Sequence, residues 1–143
     1  MKRKIMCAFA MLLAVVICIA PIANASTRAS MYLSRYLAYV YSEGDGDISI
    51  WFEVEGTGTM DEIGVLSIRL QQKPAGSSTW TTIKTYSHND YSELLEYNDS
   101  FHYSHVDYSG KEGYSYRAYV TVWAGKDGNG DSRVILTDTV IAK

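Results

Sequence analysis

Cysteine is scarce and poorly placed for structural use. Cys7 and Cys18 are the only 2 in 143 residues, and both precede residue 26. The rest of the chain has no disulfide to staple it and no thiolate to act as nucleophile or metal ligand. Proline is limited to Pro21 and Pro74, which excludes collagen-like and proline-rich linker architectures. Beyond residue 26 no apolar stripe persists at a 3.6-residue period, so helical bundles are excluded as well. No run of Lys or Arg occurs there either. A composition of 47% apolar and 20% charged residues has the balance of a folded domain, not of a disordered segment.

What the first 25 residues contain is an export pattern. Lys2, Arg3 and Lys4 form a positive start, Ile5 to Ala20 an uncharged apolar segment, and Pro21 ends any helix there. Ala23-Asn24-Ala25 supplies the small-x-small site that a signal peptidase cuts, leaving Ser26 as the new N-terminus. The alternative is a retained anchor, since Ile5 to Ala23 is uncharged and just long enough to span a bilayer. A lipid anchor is disfavoured because Ile17 precedes Cys18 where a small residue is needed. The expectation is a helical signal peptide over residues 1–25 and one secreted, extracellular domain over residues 26–143. Losing three basic residues leaves 10 Lys and Arg against 16 Asp and Glu, moving the net charge from −3 to −6. That balance argues against nucleic acid, or an anionic membrane after cleavage, as a partner.

Strand patterns dominate the remainder. Ile48, Ile50, Phe52 and Val54 alternate with Ser49, Trp51, Glu53 and Glu55 after the turn-forming Glu43-Gly44-Asp45-Gly46-Asp47. Leu66, Ile68 and Leu70 alternate with Ser67, Arg69 and Gln71, and Lys73 to Ser78 turns the chain into Thr79 to Ser87. From Tyr114 to Trp123, Tyr116, Ala118, Val120 and Val122 share one face while Arg117, Tyr119, Thr121 and Trp123 share the other. Met31 to Tyr41 fits a strand better than a helix because of its tyrosines and the turn behind it. Phe101 to Tyr108 and Ser132 to Ala142 are further strands, and Ser92 to Glu96 suits a short helical turn. In the last strand one register would bury Val134, Leu136 and Val140 and take Asp138 with them. About seven strands, with turn signals every 8–12 residues or so, predict an all-β protein: a single antiparallel β-sandwich.

Two stretches carry a resemblance. Gly110-x-x-Gly113-x-x-Tyr116-Arg117-Ala118-Tyr119-Val120-Thr121-Val122 resembles the corner and following strand of fibronectin type III and immunoglobulin-like domains. There a tyrosine hydroxyl ties the corner to the strand. Leu66 to Gln72, Gly76-Ser77-Ser78 and Trp80 to Thr85 resemble the adjoining hairpin. With Gly56-Thr57-Gly58-Thr59-Met60 and the leader, the chain is similar to an uncharacterised family of short secreted proteins of Gram-positive, clostridia-like bacteria. The resemblance implies a fold and a compartment, and no activity. Antibody-type recognition does not carry over, because the two sheet-bridging cysteines are missing.

Asp127, Asn129, Asp131 and Asp138 stand at positions 1, 3, 5 and 12 of a calcium-loop spacing. Ser132 occupies the place of the required glycine, however, and Gly, Asn and Asp are also what a hairpin turn selects. His102 and His105 have an odd spacing that sends them to opposite faces of a strand, so one zinc site cannot easily use both. No nucleophile elbow or metalloprotease helix is present, and the expected role is non-catalytic, with no cofactor unless calcium is bound. Aromatic residues are plentiful: 12 Tyr, 3 Trp and 3 Phe, of which only Phe9 lies in the leader. Tyr-Ser pairs begin at Tyr41, Tyr86, Tyr91, Tyr103, Tyr108 and Tyr114, the vocabulary of adaptable binding loops. Strand alternation turns Trp51, Tyr119 and Trp123 away from the core, where they can stack on sugar rings or anchor a protein. Cross-strand packing on a solvated sheet face also accounts for them and is the preferred reading. The sequence therefore points to an extracellular binding or structural module. The sequence names no partner: an extracellular glycan or cell-wall polymer competes with a protein or second copy, and a calcium-stabilised surface protein is a further alternative.

Overall fold

Two Asp-Gly pairs make the tightest reversals of the chain. Asp45 and Gly46 have φ of 53° and 86°, and Asp127 and Gly128 have φ of 53° and 73°. Positive φ at both central positions is what a type I′ hairpin turn requires, and its twist matches that of the strands it joins. The computed structural model describes residues 30–143. The turns connect β1 (Leu33–Gly44) to β2 (Asp47–Lys73), and β5 (Ser115–Lys126) to β6 (Asn129–Leu136). The expected signal peptide over residues 1–25, with Ala23, Ala25 and Ser26 at the expected cleavage site, lies outside the described residues.

Between these hairpins run β3 (Thr81–Ser87), a 3-10 turn (Ser92–Leu94) and β4 (Leu95–Ser109), and β7 (Val140–Ile141) ends the chain. All seven strands belong to one sheet, and every pairing in it is antiparallel. The runs around Ile48 and Leu66, which look like separate strands in the sequence, form the single 27-residue strand β2. Its first part, Asp47 to Glu55, lies between β1 and β4, and its last part, Ser67 to Gln72, between β3 and β5. Gly64 is where neighbours change over, paired to Leu95 of β4 on one side and Trp123 of β5 on the other. A Cβ there would come within 2.2 Å of the Leu94 carbonyl, at a φ of 141° that only glycine adopts readily. The sheet curls around this strand into a half-barrel, and β1 approaches β5 and β6 without pairing to them.

The concave side is the core. Ile48, Ile50, Phe52 and Val54, then Ile63, Val65, Ile68 and Leu70, and Ala118, Val120 and Val122 of β5 are fully buried or nearly so. Each large aliphatic among them contributes about 1.5–3 kcal/mol by leaving water. Tyr116 is also fully buried, and its hydroxyl accepts the Lys111 N–H at 2.8 Å. The corner before β5 is thereby tied to its strand. Gly110 fits beneath that hydroxyl, which a Cβ would meet at 2.8 Å.

β6 takes the opposite register from the one that would bury Val134 and Leu136. Ile135 packs on the core, while Val134 and Leu136 are 62% and 47% exposed. The hydroxyl of buried Thr137 explains the choice: it accepts the Ala118 N–H at 3.0 Å and donates to the Asp138 carbonyl at 3.0 Å. Thr137 can be satisfied inside, whereas the Asp138 carboxylate, which stays exposed, would lose its water.

Candidate functional site

The convex side of β1, the first part of β2, and β4 is built from alternate residues of three paired strands. Trp51 lies across from Tyr39 on one side and His105 on the other, Ser49 across from Tyr41 and Asp107, and Glu53 across from Leu37 and Tyr103. The Trp51 indole stacks on the His105 ring at 4.1 Å and 19°, and on the Tyr103 ring at 5.2 Å and 30°. Its Nε1–H donates to Ser49 Oγ at 3.0 Å, and the Ser49 hydroxyl donates in turn to the Glu43 carboxylate. Stacking and the Ser49–Glu43 relay together fix the half-buried indole at the edge of a cleft of about 410 Å³. Glu43, Asp47, Asp107 and Tyr108 complete its walls.

Carboxylates dominate the electrostatics here. Arg35 pairs with Glu53 at 3.1 Å, and His105 Nε2 lies 3.7 Å from Asp107. Burial, with Glu53 adding to it, raises the Tyr39 phenol above its ordinary pKa. Fixed aromatic rings beside carboxylate acceptors can hold a ring-shaped, hydroxyl-bearing ligand by stacking and hydrogen bonding. Ser, His and Asp share the cleft: the Ser49 hydroxyl donates to Glu43, and the His105 ring stacks on Trp51.

Tyr119 and Trp123 do not join Trp51. Both face outward from β5, in the part of the sheet built from β3, the end of β2, β5 and β6. The Tyr119 ring has the Arg69 guanidinium 5.1 Å and that of Arg117 5.8 Å from its centroid. Trp123 lies flat over the β5–β6 hairpin, where a Cβ on Gly130 or Gly125 would strike the indole at 2.4 or 2.7 Å. Its buried Nε1–H has no acceptor among the described residues. Trp51 borders the cleft of about 410 Å³, and Trp123 a second one of about 270 Å³ beside Asp61, Glu62 and Asn129. Neither a protein-family model nor a curated protein matches the chain.

The four calcium-spaced residues are dispersed into other bonds. Asp127 sits at the hairpin turn, its N–H donating to Asp61 Oδ2 at 2.7 Å, and the Asn129 amide donates to the Asp127 carbonyl at 3.1 Å. Asp131 receives the Ser30 hydroxyl at 2.6 Å and the Met31 N–H at 3.0 Å. The Ser30 bond, with the Met31 N–H helping, holds its carboxyl below the usual range. Asp138 lies beyond β6 in the link to β7. Among the described residues no three His, Cys, Asp or Glu side chains gather where they could hold a metal ion. His102 and His105 do diverge: His102 Nε2–H donates to the Glu93 carbonyl at 2.9 Å on the core side, and His105 stacks on Trp51 outside.

Tyr39, Glu43, Ser49, Tyr103, His105 and Asp107 are the site residues that sequence patterns miss. Alternation puts Tyr103 and His105 on one face of their strand, but only the pairing register brings that face beside Trp51. Although no run of Lys or Arg marks the sequence beyond residue 26, basic residues do cluster in the fold. Arg69, Lys73 and Arg117 gather on the outer side of the β3–β2–β5 region, around Trp80 and Tyr119. An average over composition cannot register such clustering.

Proposed function

We propose that the chain is an exported, non-catalytic binding module that holds a glycan on the convex face of β1, β2 and β4. The observation that carries this reading is the locked Trp51 indole. Stacked on His105 and Tyr103 and tethered through Ser49 to Glu43, it is pre-organised beside acceptors for sugar hydroxyls. A fibronectin type III- or immunoglobulin-like sandwich is the proposed fold family. Its support is the pairing of β1 and β4 around the first part of β2, of β3 and β5 around the last part, and the Tyr116 corner. The leader pattern of residues 1–25 supports export and an extracellular location.

Incubation of the purified protein with insoluble peptidoglycan, chitin and cellulose, and with immobilised mucin, tests the reading through the fraction retained. Retention of the native protein on at least one polymer is expected. Trp51→Ala, shown by circular dichroism to be folded, should abolish it, and Trp123→Ala should not. Retention on none, or equal retention of Trp51→Ala, would overturn the proposal.

A second reading, association through the sheet edge, is favoured by Val134 and Leu136, exposed on the edge strand β6. Sedimentation of the native protein as a dimer that Val134→Lys converts to monomer would support it, and a native monomer would remove it.

A further inference from the structure

The outer side of the β3–β2–β5–β6 region carries a row of alternating cations and rings. Arg69 lies over Tyr119 at 5.1 Å, Arg117 reaches both Tyr119 at 5.8 Å and Trp80 at 4.3 Å, and Lys73 lies over Trp80 at 5.1 Å. Arg117 is further oriented by its Nε–H, which donates to Gln71 Oε1 at 3.0 Å. No Asp or Glu occurs anywhere in Ser67–Lys73, Thr81–Ser87, Ser115–Trp123 or Ser132–Leu136, although acidic residues outnumber basic ones in the chain, 16 to 13. Three like charges held together without a counter-charge cost free energy, which the ring quadrupoles offset only in part. The rings fix the cations in place and leave their charge uncompensated.

We propose that this row is a second binding surface, separate from the Trp51 cleft, for a polysaccharide bearing carboxylate or phosphate groups. Guanidinium groups match both anions, and their planar fork is pre-organised for paired hydrogen bonds. Arg69 and Lys73 stand four residues apart on one strand, or about 13 Å at the usual rise, with Arg117 next to them on β5. A linear polymer with anions spaced along it suits such a row better than one small anion does. Nucleic acid, extending beyond the row, would meet the acidic remainder of the chain. The aromatic members favour a ligand made of rings.

The test measures affinity for polygalacturonate, which carries a carboxylate on each sugar, and for a phosphorylated mannan. Neutral dextran and single-stranded oligothymidylate serve as comparisons. Binding to at least one anionic glycan is expected, weakening by about tenfold or more between about 50 and 500 mM salt, as screening and counterion release require. The better of the two glycans identifies the anion. Arg69→Gln combined with Lys73→Gln should lower that affinity about tenfold. Thr85→Glu removes no cation and places a carboxylate across from Arg69 on β3; it should weaken binding similarly and keeps the test valid if the double variant misfolds. Trp51→Ala should leave this binding unchanged, so failure here and failure of the Trp51 cleft are read separately. No binding to either anionic glycan, equal binding to dextran, or tighter binding to oligothymidylate would overturn the proposal.

Discussion

The two convex regions of this one sheet use the same aromatic residues in opposite electrostatic settings. Around β1, the first part of β2, and β4, Arg35 is the lone cation among Glu43, Asp47, Glu53, Glu55, Glu96, Asp99 and Asp107. There the Trp51 ring packs on other rings, and its N–H is drawn into a relay that ends on a carboxylate. Around β3, the end of β2, and β5, the outward rings Trp80 and Tyr119 are covered by Arg69, Lys73 and Arg117. What an exposed aromatic does on a strand is thus decided by its cross-strand neighbours more than by its own identity. One region is left with an anchored indole in an acidic cleft, the other with uncompensated cations on the outer sheet face.

The strongest way to break the comparison is to break the strand that both regions share. Gly64→Ala forces a Cβ against the Leu94 carbonyl at a strained φ, and a loss of about 2–4 kcal/mol is expected from strain plus overpacking. Urea unfolding measures it; a midpoint within error of the native one would show that the crossover tolerates a side chain. Tyr86 ties the regions differently, reaching from β3 to donate to the Asp107 carbonyl of β4 at 2.7 Å. Tyr86→Phe should cost about 1–2 kcal/mol, because that carbonyl loses its partner. Burial, with Tyr91 beside it, pushes the Tyr86 phenol up to about 12 from an ordinary 10.0. Its folded pKa is the higher one, so its contribution is complete below pH 10 and is lost as pH rises through about 12. Unfolding measured across that window, with Tyr86→Phe as control, checks the sign.

Smaller changes sharpen the contrast between the faces. Trp51→Ala removes a ring-on-ring stack and should cost about 1–2 kcal/mol, whereas Tyr119→Ala removes cation–π contacts and should cost about 0.5–1 kcal/mol. Equal losses would mean that the two ring environments are energetically alike. The smallest effect is expected at Asp131, which holds Ser30 and Met31 beside β6. Its carboxyl pKa lies below 3.8 in the folded chain, so the tether persists above that value and is lost as pH falls through the depressed one. Faster proteolytic removal of the N-terminal segment in Asp131→Asn than in the native protein at neutral pH would check it; identical rates would show that the segment is held by other contacts.

Much of the fold is legible in local pattern. Asp45-Gly46 and Asp127-Gly128 announce their hairpins because positive φ is expensive for most other residues, and the alternation from Tyr114 to Trp123 gives the buried face of β5 outright. The turn around Ser92 is visible too. Features that depend on partners are not. The runs around Ile48 and Leu66 look like separate strands, yet β2 continues between them, with an irregularity between Glu55 and Met60 where its register against β4 shifts. Val134 and Leu136 look like core residues until Thr137 takes the inward place and satisfies its hydroxyl there. Trp51 is identifiable as outward-facing, but His105, Tyr103 and Glu43 become its neighbours only through register. The charge contrast is hidden for the same reason: residues far apart in the chain are sorted onto one face or the other by strand pairing alone.

The most direct test of the Trp51 cleft is nuclear magnetic resonance of the 3 tryptophan indole N–H groups during titration with chito-oligosaccharides and soluble peptidoglycan fragments. Variants assign the signals. The expected result is a saturable shift of the Trp51 resonance, with those of Trp80 and Trp123 unmoved. A shift of the Trp123 signal instead, or no shift with any of these sugars, would contradict a glycan site built on Trp51.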